Sequence, residues 1–132
     1  MAVLFSQTTQ STRSVWDGVY TAEQAKRGQP LYQQHCASCH TEQLSGGEEA
    51  PDLAGGAFLK SWNGATANDL FEKIRVSMPQ NRPGSLSRQN NVDVVAYIFS
   101  VNQFPAGKSE LAHEAEQLKQ IRFEAAKPAE KK

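Results

Sequence analysis

The stretch "HCASCH" at residues 35–40 constrains this chain most, because it holds both cysteines and two of the three histidines. Two thiols can form a disulfide, a redox pair, part of a zinc site or an attachment point for a cofactor. A thioredoxin-like redox pair is expected after a strand in a βαβ unit, and no such pattern precedes this stretch. Zinc would need further ligands, and nothing in the sequence resembles a second paired set of them. The spacing within the stretch therefore has to decide.

That spacing is C-x-x-C-H, formed by Cys36, Cys39 and His40, and it is typical of covalent attachment of c-type haem. Residues three apart lie on one face of a helical turn, so both sulfurs can bond one edge of a porphyrin. His40 then reaches over the ring as the proximal ligand of the iron. The sequence predicts one covalently attached haem c as cofactor.

A six-coordinate iron needs a second axial ligand, and Met78 is the only methionine besides the first residue. Pro79 biases Met78 toward an extended backbone, so its side chain should leave the preceding helix where the chain turns. We therefore predict Met78 as the second ligand. His35 and His113 are the rival ligands, and we expect both to be exposed instead.

Charge and hydropathy exclude several kinds of partner. The 132 residues include 14 basic and 14 acidic side chains, so no net charge attracts nucleic acid or an anionic membrane surface. The longest apolar stretch, "VDVVAYIFSV", is about half of the roughly 20 residues that span a bilayer, and Asp93 interrupts it. We expect one soluble, monomeric chain with no membrane span and no nucleic-acid partner.

Periodicity and capping signals predict an all-α fold with three main helices. The first begins after Thr21, and Pro30 predicts a kink or break near Gln29. A long loop is predicted over 44–64, a second helix after the cap Thr66, and a third over 87–102. Gly28, which has no side chain, would let another helix approach closely, with Tyr97 as the candidate at the crossing.

The end of the chain has a helical pattern of its own. Apolar residues recur three or four positions apart at Leu111, Ala115, Leu118, Ile121 and Ala125, which predicts an amphipathic helix. The sequence thus suggests an N-terminal arm over 1–20, a haem domain over 21–105 and a C-terminal helical extension over 106–132.

From about Thr21 to Pro105 the chain resembles the class I cytochromes c. The stretches "GQPLYQQHCASCH", "APDLAG", "MP" and "VAYIFSVNQFP" match that family in order and approximate spacing. "SVWDGVYTAEQAKRG" together with "MPQNRPGSLS" is similar to small bacterial cytochromes c found beside or fused to quinoprotein dehydrogenases. The resemblance implies a small class I cytochrome c fold, with helices packed around one haem.

The resemblance also implies roles for residues around that haem. The carbonyl of Pro51 would accept a hydrogen bond from His40, and Leu53 would contact the haem. Trp62 would donate its indole N–H to a propionate, with plain packing as the alternative. Two further candidates for propionate pairing flank the methionine ligand, with solvent exposure as the alternative: Arg75 and Arg82.

Two strong axial ligands leave no open coordination site, so the predicted function is one-electron transfer without enzymatic activity. Redox proteins are the expected partners, with a dehydrogenase as donor and an oxidase or another cytochrome as acceptor. Because covalent haem attachment implies assembly outside the bacterial cytoplasm, we expect a periplasmic protein whose signal peptide has been removed. Two alternatives remain: a sensor or peroxidase-type enzyme with a displaceable methionine, and a cytochrome domain excised from a larger quinoprotein dehydrogenase.

Overall fold

Helices dominate the fold, as predicted. The computed structural model describes residues 12–47 and 50–127, so residues 1–11 of the predicted arm and 128–132 of the predicted extension lie outside it. The helices are α1 (Ala22–His35), α2 (Ala37–His40), α3 (Gly56–Trp62), α4 (Ala67–Ser77), α5 (Arg88–Val101) and α6 (Ala115–Leu118). The two strands are β1 (Arg13–Ser14) and β2 (Ile121–Arg122). None of the helices in the described ranges has the length and hydrophobicity needed to span a bilayer.

Helix α1 starts where its cap predicts and continues through its proline. The Thr21 side chain accepts a hydrogen bond from the backbone N–H of Gln24 at 3.1 Å. The predicted break near Gln29 is wrong, because the helix runs without interruption to His35. Pro30 is exposed, so its ring is accommodated on the solvent side and only the hydrogen bond of its missing N–H is lost.

Helices α1 and α5 pack closely at Gly28, as the sequence predicts. A Cβ atom on Gly28 would lie 2.0 Å from the backbone oxygen of Asp93 and 3.0 Å from the Cβ of Tyr97. Only a residue without a side chain allows the two helices to approach this closely. One turn further along, the rings of Tyr32 and Tyr97 pack with their centroids 5.5 Å apart.

Helix α4 begins at its predicted cap, and α5 begins close to its predicted start. Thr66 and Asp69 form a reciprocal capping box at the start of α4. Ser87 accepts a hydrogen bond from the N–H of Asn90 at the start of α5. The predicted loop over 44–64 needs correction, because it contains α3. The glycines of this segment favoured a loop, but its residues Gly56–Trp62 form a helix that buries Phe58 in the core.

The C-terminal segment differs from its prediction. Of residues 106–127, only Ala115–Leu118 is helical, and β2 follows it, paired in parallel with β1 of the N-terminal arm. The apolar pattern did mark buried positions, including Leu111, Leu118 and Ile121. However, the backbone after α6 is extended, because it hydrogen-bonds to the arm and buries Phe123, which was not part of the helical pattern.

The N-terminal arm and the C-terminal segment both pack on the helices. The Trp16 indole N–H donates to the backbone oxygen of Glu124 at 3.0 Å, and its ring packs edge-on against Phe104. These contacts make residues of the N-terminal arm and of the C-terminal segment part of the same hydrophobic core as α5. The division into domains at residues 20 and 105 stays a prediction.

Candidate haem-binding site

One open cavity brings together seven of the nine residues predicted to bind haem. The cavity opens to solvent, and its lining is mostly apolar. The predicted residues in its lining are Cys36, Cys39, His40, Pro51, Leu53, Trp62 and Met78. The remaining two, Arg75 and Arg82, are not in the lining.

Both cysteines belong to the short helix α2 and its N-cap. Cys36 is its N-cap residue, and Cys39 lies in its single turn. The two thiols are not joined by a disulfide. Burial raises the pKa of the Cys36 thiol to about 11, whereas Cys39 is exposed. The turn thus offers two thiols to the cavity, one inside the protein and one toward the surface.

His40 is held by a backbone carbonyl on the loop after α2. The ring is only 7% exposed, and its Nδ1 lies 2.9 Å from the backbone oxygen of Pro51. Because a carbonyl can only accept, Nδ1 must carry the proton, and Nε2 is then the nitrogen able to bind a metal. This is the contact that the family resemblance implies.

Met78 comes from a different element. It is the C-cap residue of α4, where φ −123° and ψ 154° give the extended backbone predicted from the following proline. Its own N–H still donates to the backbone oxygen of Ile74, at 2.9 Å. Helix α4 therefore ends with a half-buried thioether in the cavity lining.

Apolar side chains form most of the cavity wall. Leu70 and Ile74 come from α4, and Val94 and Ile98 come from α5. Val94 and Ile98 are four residues apart, so both lie on the same face of α5. Leu53 is fixed through its backbone, whose oxygen accepts from the Asn102 side chain at 3.0 Å.

Trp62 ends α3 and lines the cavity while packing on other aromatic rings. Its ring centroid lies 6.2 Å from that of Phe58 and 5.8 Å from that of Phe123. The packing alternative thus has direct structural support. Its propionate hydrogen bond stays a prediction.

Arg75 and Arg82, the two residues predicted to pair with propionates, lie outside the cavity lining. Arg75 forms an ion pair with Glu72 at 2.8 Å, and Arg82 is exposed in the turn after α4. Their pairing with propionates stays a prediction. Two further residues line the cavity, His35 and the exposed Lys73. The expectation that His35 and His113 are exposed is wrong, because both are half-buried. His113 is not in the lining, and its Nδ1 lies 3.9 Å from the Glu114 carboxylate.

The chemistry of this cavity fits haem c. Two thiols can form thioether bonds, an oriented imidazole and a thioether can bind iron, and the apolar walls can pack on a porphyrin. The described ranges contain no cluster of three or more His, Cys, Asp or Glu side chains that could hold a metal ion by themselves. Residues 23–98 match the family described as cytochrome c oxidase, cbb3-type, subunit III. The chain belongs to this cytochrome c family. Covalently attached haem c is accordingly its cofactor.

This cytochrome c chain is similar to two known proteins. A cytochrome bc1 complex cytochrome c subunit from Corynebacterium diphtheriae is 31% identical over 94 residues, which is 68% of this chain and 31% of that subunit. The chain therefore spans about a third of the length of this relative. The sulfane dehydrogenase SoxCD from Paracoccus pantotrophus is similar in structure, with a TM-score of 0.55, 20% identity, and coverage of 82% of this chain and 61% of that one. The second likeness concerns the fold alone.

Proposed function

We propose that this protein is a one-electron carrier with a haem c held between His40 and Met78. The observation that carries the proposal is the cavity itself, which combines an oriented imidazole, a thioether and the two thiols within apolar walls. Bound haem c supplies reversible one-electron chemistry at its iron. The residues of this chain attach it, set its surroundings and control its contact with water.

The hydrogen bond from His40 to Pro51 has two consequences for the imidazole. It keeps Nδ1 protonated, so that Nε2 carries the lone pair, and it increases the donor strength of the ring. The loop that carries the Pro51 carbonyl is held by backbone hydrogen bonds on either side of it, from the Gly47 N–H to the Ala50 oxygen at 2.9 Å and from the Leu53 N–H to the Leu44 oxygen at 2.8 Å. The protein therefore orients the His40 imidazole independently of electron transfer.

The apolar walls influence the reduction potential of the site. Leu70, Ile74, Val94 and Ile98 exclude water, and a dry, apolar environment disfavours the more highly charged oxidised state. A methionine ligand in place of a second histidine would also raise the reduction potential. Both effects support a potential higher than two histidine ligands in a wetter site would give.

Electron exchange with partners would take place where the site meets solvent. Cys39 and Pro51 are both exposed beside the cavity, so the attached edge of the ring would come close to the surface. We propose transient contacts there with redox proteins, a dehydrogenase as donor and an oxidase or another cytochrome as acceptor. Cytochrome c domains of this type are extracytoplasmic, and we propose the periplasm as the location, with the chain acting as a monomer.

One observation favours a second arrangement. Because the chain matches only 31% of the length of its bc1-complex relative, the same electron-carrying site could belong to one module of a larger redox protein. The two arrangements share the chemistry of the cavity. They differ in whether the electron moves between proteins or between domains, which the length of the mature protein in its native host decides.

The visible spectrum of the oxidised holoprotein tests the ligation. We expect a weak thioether-to-iron charge-transfer band that is lost in Met78→Leu, a variant that keeps the side-chain volume but removes the sulfur. His35→Gln is the matched control, because His35 also lines the cavity and should leave the band unchanged. A missing band in the unaltered protein, with rapid carbon monoxide binding by its reduced form, would instead favour a sensor or peroxidase-type enzyme.

A further inference from the structure

The extended segment after α6, residues 119–127, is called the tail here, and it packs against Trp62 in the wall of the haem cavity. Phe123 is only 1% exposed, and its ring centroid lies 5.8 Å from the ring of Trp62. Trp62 lines the cavity, whereas Phe123 does not. Phe123 also lies beyond the family match, which ends at residue 98. A residue outside the matched region therefore supports one inside the site.

Backbone hydrogen bonds fix the tail against the segment that follows Trp62. The N–H of Phe123 donates to the oxygen of Ala65 at 2.8 Å, and the N–H of Gly64 donates to the oxygen of Phe123 at 2.9 Å. The N–H of Ala125 donates to the Asn63 side chain at 2.8 Å. These bonds clamp the short connection between α3 and α4, and both helices contribute residues to the cavity wall.

The N-terminal arm in turn holds the tail. Strand β1 pairs with β2, which immediately precedes Phe123. The N–H of Arg13 donates to the oxygen of Gln120 at 2.8 Å, and the N–H of Val15 donates to the oxygen of Arg122 at 3.0 Å. The described parts of the arm and the tail thus form one hydrogen-bonded unit, and its Phe123 ring contacts the indole of Trp62.

We propose that Phe123 is a positioning residue that holds the Trp62 indole against the haem, so that the tail tunes the reduction potential. This inference rests on the proposed function, since it requires haem in the cavity. Trp62 is half-buried, with Phe58 and Phe123 packed against its ring. If the ring of Phe123 is removed, the indole gains room to move and water gains access to the cavity. Water beside the haem stabilises the oxidised state, so the potential falls.

A double-mutant cycle on the reduction potential of the holoprotein tests the route through Trp62. Phe123→Leu is measured by spectroelectrochemical titration in the unaltered protein and in a Trp62→Phe background. We expect Phe123→Leu to lower the potential in the unaltered protein and to have at most half that effect in the Trp62→Phe background. Residues that act through one another give non-additive effects, whereas independent residues give additive ones.

Phe104→Leu is the matched control for this cycle. Phe104 is buried in the same aromatic cluster, 6.3 Å from Phe123, and among the described ring contacts none joins it to Trp62. Its substitution also removes a ring and costs stability. We expect its effect on the potential to be smaller than that of Phe123→Leu and equal in both backgrounds.

The near-ultraviolet circular dichroism of Trp62 gives a second readout, in a Trp16→Phe background that leaves one tryptophan. Phe123→Leu should weaken the indole band, because a mobile ring loses its fixed asymmetric surroundings. Phe123→Tyr keeps the ring while burying a hydroxyl, so it should lose stability but retain both the band and the potential. Should Phe123→Leu not fold, Phe123→Met, a flexible side chain that fills core gaps, replaces it in the cycle.

Equal potential shifts in both backgrounds would overturn the inference, as would an unchanged Trp62 band in Phe123→Leu. Neither measurement depends on Met78, because both need only haem in the cavity. Failure of the methionine ligation would appear separately, in the charge-transfer band. The two proposals can therefore fail independently.

Discussion

Substitution of Gly28 by alanine should separate the two longest helices of the fold. The new Cβ would lie 2.0 Å from the backbone oxygen of Asp93 and 2.6 Å from its carbonyl carbon. These distances are roughly 1.4 Å and 0.8 Å shorter than the 3.4 Å at which ordinary van der Waals contact begins. Because the atoms opposite the new Cβ are backbone atoms of α5, no side chain can rotate away to make room, and α1 and α5 must move apart.

The size of the effect follows from two opposing contributions. Overpacking in a core costs about 1–3 kcal/mol and occasionally more, and a clash with backbone belongs at the upper end. Alanine is favoured over glycine inside a helix by about 1 kcal/mol, which offsets part of this. We expect a net loss of about 2–3 kcal/mol. With an unfolding entropy of about 2.1 cal/mol/K per residue, this lowers the Tm of the 132-residue holoprotein by roughly 7–11 °C.

Thermal unfolding followed by far-ultraviolet circular dichroism measures this change. Gly56→Ala is the control, because Gly56 is also helical and a Cβ there has no atom within 4 Å. We expect the control to be neutral or slightly stabilising. A Gly28→Ala protein with an unchanged Tm would refute the argument that this crossing requires glycine. Because α5 supplies Val94 and Ile98 to the cavity, the haem spectrum of Gly28→Ala should change as well.

Two further predictions concern a helix cap and an ion pair. Thr66→Ala removes the side-chain acceptor of the α4 capping box and should destabilise the holoprotein by about 1 kcal/mol in chemical denaturation, whereas Thr66→Ser should retain most of the stability. The hydrogen bond from Arg27 lowers the pKa of Glu110 below its usual 4.5. The stability from this pair is therefore present above pH 4.5 and is lost as the pH falls through the lowered pKa. Because the pair is partly exposed, Glu110→Gln should cost at most about 1 kcal/mol at pH 7, less at high salt and least at a pH below the lowered pKa of Glu110. An equal loss for Glu110→Gln at both pH values would contradict the assignment.

Much of the fold and site was predictable because it depends on residues close together in the chain. The cysteine pair and His40 fall within one helical turn, so their spacing alone indicates how they meet a haem. The caps at Thr66 and Ser87 are equally local, since each side chain bonds a backbone N–H three residues later. The extended backbone of Met78 follows from the proline beside it.

Only the tertiary structure decided which distant segments support the cavity wall. Apolar spacing identified Leu118 and Ile121 as buried, but a helix and an extended chain can both bury such residues. The choice depended on hydrogen bonds between Phe123 and Ala65, 58 positions away, and on the pairing of β1 with β2. The sequence by itself therefore determined the cofactor and its attachment, which are set by short-range covalent chemistry and local backbone geometry. The support behind Trp62 was decided by packing between the two ends of the chain, because contacts over such separations leave no periodic pattern in the residues that make them.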